Sequence, residues 1–239
     1  MKTIIPIILL AVLLGTCTAH GATQIVVPNN LANVEGNSSA TEPFNSTSFR
    51  FQQVFDASQF AIPAGSSGRI DSISFRIDGA ATSDMLLFFG GSSWTFSTTA
   101  RGPDGLSPVF AENRGPDAVT VLNNAFSFAG LTPTPGMPGM FQSPTVLLTS
   151  EFWYIPSRGN LLLDVAGFGG QVFFPGSLDA HSIAGDSISW VWSADGNSAS
   201  GTANSLGLVT RFNFTIVPEP ATWLLGLTGV ALLAFFRRR

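Results

Sequence analysis

His181 follows Asp179 by two residues and precedes Asp186 and Ser187, so one short stretch holds an imidazole, two carboxylates and a hydroxyl. Such a set could form a hydrolytic triad, in which a carboxylate orients the imidazole and the imidazole takes the proton of a nucleophilic serine. The strand-to-helix elbow that presents such a serine, Gly-x-Ser-x-Gly, does not occur in the chain. No histidine follows Gly185-Asp186-Ser187 either. The sequence favours a loop histidine here and no catalytic residues. A zinc site would need several imidazole, thiolate or carboxylate ligands, and a single histidine in the body cannot supply them.

Two further groups of residues have the right types for binding. Arg101-Gly102-Pro103-Asp104 and Arg114-Gly115-Pro116-Asp117 are near copies thirteen residues apart, with Glu112 between them. Their carboxylates are the hard oxygen ligands that calcium takes from loops, but neither EF-hand nor repeat-toxin spacing is present. The simpler expectation is two proline-driven turns flanking a short strand over 108–111, with no metal and no cofactor. Trp190 and Trp192 alternate and so share one side of a strand, and Trp94 and Trp153 add more indole. Rings that face outward could stack on sugars, which is the speculative role for Trp190 and Trp192, whereas core packing is the default.

These residues must be held by strands. Phe49, Phe51 and Gln53 share one face, as do Ile73, Phe75 and Ile77. Further strands are expected over 85–89, 94–98, 119–122, 125–128, 146–152, 161–165, 171–174, 187–192 and 206–216. Turn signals such as Pro63-Ala64-Gly65, Gly102-Pro103-Asp104-Gly105 and Asp195-Gly196-Asn197 punctuate them. A helical period is discernible only over 54–60. The pairs Phe88-Phe89 and Phe173-Phe174 read as strands buried on both faces. The expected fold is all-β, a two-sheet sandwich of jelly-roll-like form. The 196 residues from Ala22 to Val217 suffice for one such body with its own core.

Charge and cysteine usage exclude whole classes. That body carries seven arginines and no lysine against fourteen acids, a net of about −7. An acidic domain without a basic stripe is not a nucleic-acid binder. Cys17, the only cysteine, lies before the body, so disulfides and thiolate chemistry are not expected in it.

The two ends read as export signals. Lys2, the apolar run Ile4 to Leu14 and the small residues up to Ala22 have the pattern of a signal peptide over 1–21, cleaved after Ala19 or Gly21. A lipoprotein reading would use Leu14-Gly15-Thr16-Cys17, where threonine fits poorly. At the other end, Pro218, Glu219 and Pro220 precede sixteen uncharged residues, Ala221 to Phe236, and then Arg237, Arg238 and Arg239. As a helix this run would be about 24 Å long, with Trp223 at one interface and the arginines held cytoplasmic. A transmembrane helix is therefore expected within 218–239.

The order Pro-Glu-Pro, apolar segment and arginine cluster resembles the PEP-CTERM sorting signal of exopolysaccharide-producing bacteria. That resemblance implies recognition by an exosortase, a membrane transpeptidase-like enzyme acting near Pro218-Glu219-Pro220, where two prolines would leave extended, unpaired backbone. The body also resembles uncharacterised exported proteins that carry this tail, through 49–55, 73–78 and 154–165. The resemblance implies export, anchoring in the inner membrane before processing, and then the cell surface or exterior. The partners it implies are the export machinery, the exosortase, the membrane and exopolysaccharide. A non-enzymatic surface or matrix protein is the resulting expectation; the alternatives are a carbohydrate-binding module and, less favoured, a secreted hydrolase.

Overall fold

Short runs of alternating phenylalanine, isoleucine and small polar residues set the strands, and the turn residues between them set their number. The computed structural model describes residues 22–81, 84–130, 141 and 145–218. Among these, fourteen strands form: β1 (Ala22–Val27), β2 (Ser38–Ala40), β3 (Phe49–Phe55), β4 (Ser66–Phe75), β5 (Met85–Thr99), β6 (Val119–Asn123) and β7 (Phe126–Gly130), then β8 (Val146–Tyr154), β9 (Asn160–Pro175), β10 (Leu178–Ser182), β11 (Ile188–Ser193), β12 (Thr202–Asn204), β13 (Leu206–Leu208) and β14 (Thr210–Pro218). The described residues are mostly β, and their sheets are antiparallel. One sheet runs β1-β14-β4-β8, and a larger one runs β12-β11-β3-β9-β5-β6 with β7 also paired to β5. A small third sheet, β13-β10-β2, completes the set.

The inward faces of the two larger sheets share one core. Phe49, Phe51 and Phe55 of β3 and Trp94 and Phe96 of β5 face Ile73 and Phe75 of β4 and Phe212 of β14. Ring pairs cross between the sheets: Phe55 to Phe212 at 4.9 Å, Phe96 to Phe152 at 5.7 Å and Phe75 to Trp94 at 6.4 Å. Such pairs each add about 0.5–1.5 kcal/mol beyond the area they bury. Phe44 closes one end of this core, 5.3 Å from Phe49 and 5.4 Å from Phe128. Phe60 closes the other, 5.0 Å from Tyr154 and 5.6 Å from Phe214.

Three polar groups are buried with their partners. The amide of Gln53, inside the core, donates to the Leu208 carbonyl at 2.9 Å and accepts from the Leu208 N–H at 2.8 Å. It thereby satisfies backbone groups at the junction of β13 and β14. Tyr154 donates its hydroxyl to the Gly159 carbonyl at 2.9 Å, and burial pushes its phenol well above the ordinary range. Arg76, fully buried, donates to Asp179 at 2.6 Å and to the carbonyls of Leu31 and Val34 at 2.7 and 2.6 Å. Asp179 also accepts from the Gly36 N–H at 2.9 Å, so this one pair fixes the connection between β1 and β2 against β10.

The segment between β5 and β6, residues 100–118, folds over the outer face of the larger sheet. Leu106 and Phe110 make a second, small core with Val54, Leu162 and Val191. Gly115 has to be glycine there, because a Cβ would come within 2.2 Å of the Thr98 carbonyl oxygen.

The structure departs from the sequence expectations at definite points. The runs 85–89 and 94–98 belong to one strand, as do 161–165 and 171–174, while 206–216 is split at Val209. The helical period over 54–60 is a strand end followed by a 3-10 turn, Ala57–Gln59, capped by Asp56, whose carboxylate accepts from the Ser58 N–H. The strand expected over 108–111 is a 3-10 turn, Phe110–Glu112, with a single bridge from Val109 to Ser200. Phe88 and Phe173 are 40% and 57% exposed, so their strands are not buried on both faces; only Phe89 of the first pair lies in the core. Among the described residues no helix is long and apolar enough to cross a membrane. The leader over 1–21, together with Glu219, Pro220, Arg237, Arg238 and Arg239, lies outside the described residues.

Candidate functional site

The residues of the imagined triad go separate ways. His181 stands on β10 rather than in a loop, and its Nδ1 lies 2.7 Å from Asp186 Oδ2. The other oxygen of Asp186 accepts from the Ile188 N–H at 2.9 Å. Asp179 is committed to Arg76, and Ser187 supplies its carbonyl to the Asp56 N–H at 2.9 Å. No serine hydroxyl is hydrogen-bonded to His181 among the described residues, so a dyad forms without a nucleophile.

Both Arg-Gly-Pro-Asp copies form turns. Asp104 sits at φ 61, the left-handed region that aspartate tolerates, and accepts from the Gly185 N–H at 2.6 Å. Asp117 Oδ1 accepts from the Thr98 N–H and hydroxyl at 2.8 and 3.0 Å. Glu112 accepts from the Ser107 hydroxyl at 2.7 Å and pairs with Arg101 at 3.5 Å. Each of the three carboxylates thus serves its own donors, and no group of three His, Cys, Asp or Glu converges among the described residues.

Arg114 of the second copy has a partner that the sequence did not indicate. It reaches Asp164 at 2.6 Å, which also accepts from Arg50 at 3.1 Å and from the Gln52 amide at 2.5 Å. Asp164 is buried, and the guanidinium of Arg50 lies 4.8 Å from the centre of the Phe110 ring. Gln52 continues the network to Asn113 at 2.9 Å, and Asn113 donates to the Ser107 carbonyl at 2.8 Å. These contacts fasten the segment 100–118 to the sheet. Asp164 belongs to the alternation Leu161-Leu162-Leu163-Asp164-Val165, in which the even positions face away from the main core.

The two tryptophans considered for sugar stacking point inward. Trp190 is 2% exposed, packs edge-on against Phe51 at 5.6 Å, and leaves its indole N–H without an acceptor. Trp192 is half-buried against the same core. The reason is position: β11 lies between β3 and β12, and its Ile188-Trp190-Trp192 face is the inner one. Trp94 is likewise buried, its N–H donating to Ser92 at 3.1 Å.

Among the described residues the outward indole is Trp153, 42% exposed on β8. Phe152 and Tyr154 on either side of it face the core, so the strand pleat turns Trp153 and Glu151 to the outside. Arg69 stands across from Trp153 on β4, its guanidinium 5.9 Å from the ring centre. Arg69 donates to Asp71 at 2.8 Å and to Glu151 at 3.0 Å, and the Trp153 N–H donates to Glu151 at 3.3 Å. The hydrogen bonds to Asp71, then its charge, raise Arg69 above its already high pKa. Beside this group the ladder slips: Leu147 pairs with Ser72 and Phe152 with Ile70, so residues 148–151 stand against Asp71 alone. The slip leaves a shallow depression of about 170 Å³, lined by Arg69, Asp71 and residues 148–151. The polar-apolar alternation of Glu151-Phe152-Trp153-Tyr154 was the sequence signal for it.

No protein-family model matches this sequence, and no curated protein is significantly similar to it.

Proposed function

We propose that the chain is an exported, non-enzymatic surface or matrix protein. In this reading a leader over 1–21 directs export, residues 22–217 form the displayed body, and 218–239 is a PEP-CTERM-type tail with a membrane-spanning helix, handed to an exosortase. The body then stands at the cell surface or in an exopolysaccharide layer. The observation that carries the reading is the pairing of Ala22 with Thr215, three residues before Pro218. Both ends of the body leave from the same end of the molecule, so leader and tail can engage one membrane while the rest of the body points away. Pro218 itself lies within the ladder, opposite Ser66, where unpaired backbone was expected. A jelly-roll-like winding is supported by the alternation of β3, β4, β5, β8, β9 and β14 between the two larger sheets.

Mass spectrometry of the protein from its producing cell tests this. Cleavage near Ala19 to Ala22 and processing near Pro218-Glu219-Pro220 are expected, and replacing those three residues by alanine should trap a longer, membrane-bound form. An unchanged mature mass in that variant, or periplasmic activity of a reporter fused after Arg239, overturns it.

A second reading, carbohydrate binding by the body, is favoured by one observation. Trp153 presents an indole that is 42% exposed, with the Arg69 guanidinium over its ring, Glu151 on its N–H and Asp71 beside Arg69.

A further inference from the structure

We propose that the outer face of the smaller sheet around Trp153 is a binding site for one pyranose ring of a neutral glycan, an inference that rests on the carbohydrate-binding reading. A sugar site needs a flat apolar platform held rigid, polar groups at its rim, and room for a ring. The platform is held from three directions. Phe152 and Tyr154 anchor the strand from the core side, Glu151 holds the indole N–H at 3.3 Å, and Arg69 stands across the ladder. The rim is supplied by Asp71, Glu151 and Arg69, already linked to one another at 2.8 and 3.0 Å, so little side-chain order is lost when a ligand arrives. Beside the platform the register slip opens a depression of about 170 Å³ that Arg69, Ile70, Asp71 and residues 148–151 line and Trp153 does not, well below the ~300 Å³ at which enclosed ligand sites begin. It suits one ring lying at the surface rather than an enveloped oligosaccharide.

Charge selects the class. Two carboxylates surround one guanidinium, which leaves the rim with a net negative charge on an already acidic body. Uronates, sulfated sugars and phosphate esters are repelled by such a rim. Hydroxyl pairs of a neutral hexose are suited to it, because ionised carboxylates only accept hydrogen bonds and each oxygen can take more than one.

The test is affinity gel electrophoresis of the full chain, purified as its cell leaves it. The probes are soluble β-glucan and galactomannan as neutral polymers, alginate and polygalacturonate as acidic ones, and phosphatidylglycerol vesicles. Retardation by a neutral polymer is expected with a Kd on the order of 1 mM. Trp153→Ala should weaken it by about tenfold or more, and Glu151→Gln by less. Trp153→Phe, which keeps a flat ring, should recover part of it. Binding to a neutral polymer that Trp153→Ala leaves unchanged, or binding to the acidic polymers alone, overturns this site while carbohydrate binding stands. Binding to no polymer overturns both. Vesicle binding that depends on Trp153, without glycan binding, would make the same face a membrane contact and also overturns the proposal.

Discussion

Two of the places in this molecule that set an arginine beside carboxylate and over an aromatic ring have opposite fates. On the larger sheet, Arg50 lies 4.8 Å from the Phe110 ring and pairs with Asp164 under the segment 100–118. On the smaller sheet, Arg69 lies 5.9 Å from Trp153 and pairs with Asp71 and Glu151 in the open. The difference is the cover. Phe110 arrives on a segment that brings Leu106 with it and buries both against the sheet, whereas Trp153 belongs to the strand and stays 42% exposed with the Arg69 guanidinium over its ring. The same side-chain chemistry therefore fastens a loop in one place and remains available to a ligand in the other.

Removing the central acid should separate the two most sharply. Asp164→Ala strands two guanidinium groups and the Gln52 amide, and loss of one partner from a buried charged set costs about 3–5 kcal/mol. For a chain of this size that is a fall in Tm on the order of 10 °C. Asp71→Ala, where the acid is half-buried and also accepts from the Thr215 hydroxyl at 2.7 Å, should cost no more than about 1 kcal/mol in the same thermal melts, because partly exposed pairs are screened by water and salt. Equal losses at the two sites would break the comparison.

Next in size is the cover itself. Phe110→Ala should cost about 3 kcal/mol by emptying the small outer core. Hydrogen exchange should then rise in 104–115 before it rises in β9, since the sheet keeps its inner core.

A second buried carboxylate gives a pH-dependent version of the contrast. Burial pushes Asp179 up to about 6 despite the opposing pull of Arg76. The folded protein then binds a proton more tightly at this site than the unfolded chain does, with its ordinary value of about 4. Stability from this group is fully present below about pH 4 and is lost as pH rises through about 6, a swing on the order of 3 kcal/mol. Urea titrations at pH 4.5 and 7 should show it, and Asp179→Asn should flatten it. The smallest effect is expected at Trp153→Ala, which should change stability by no more than about 0.5 kcal/mol, as for other surface substitutions.

Most strands were legible from their alternation, since runs such as 49–55 and 161–165 bury one face in a phenylalanine-rich core. The short strands β1, β2, β10 and β12 were not, because their three to six residues carry no clear period. Leu178 to Ser182 is held by Arg76 and by its neighbours β2 and β13 rather than by pattern. The facing of Trp190 was also illegible: alternation shows that Trp190 and Trp192 share a side, but which side depends on which sheet lies opposite. Trp153 was more legible than they were. The acid two residues before it and the apolar residues on either side place it on the polar face. The Asp164 clasp depends on a contact between residues 50 positions apart, and no local rule reaches that far.

β14 sits between β1 and β4, with six residue pairs on one side and nine on the other. Backbone hydrogen bonds in such ladders run perpendicular to the strands. A pull on Pro218 along the strand axis therefore loads the rungs of both ladders together, and they resist in parallel. A pull that draws Ala22 sideways from Thr215 meets one rung at a time, beginning at the end of the sheet where residues 22 and 218 lie. The same edge of the sheet is a stiff tether in the first direction and a zipper in the second.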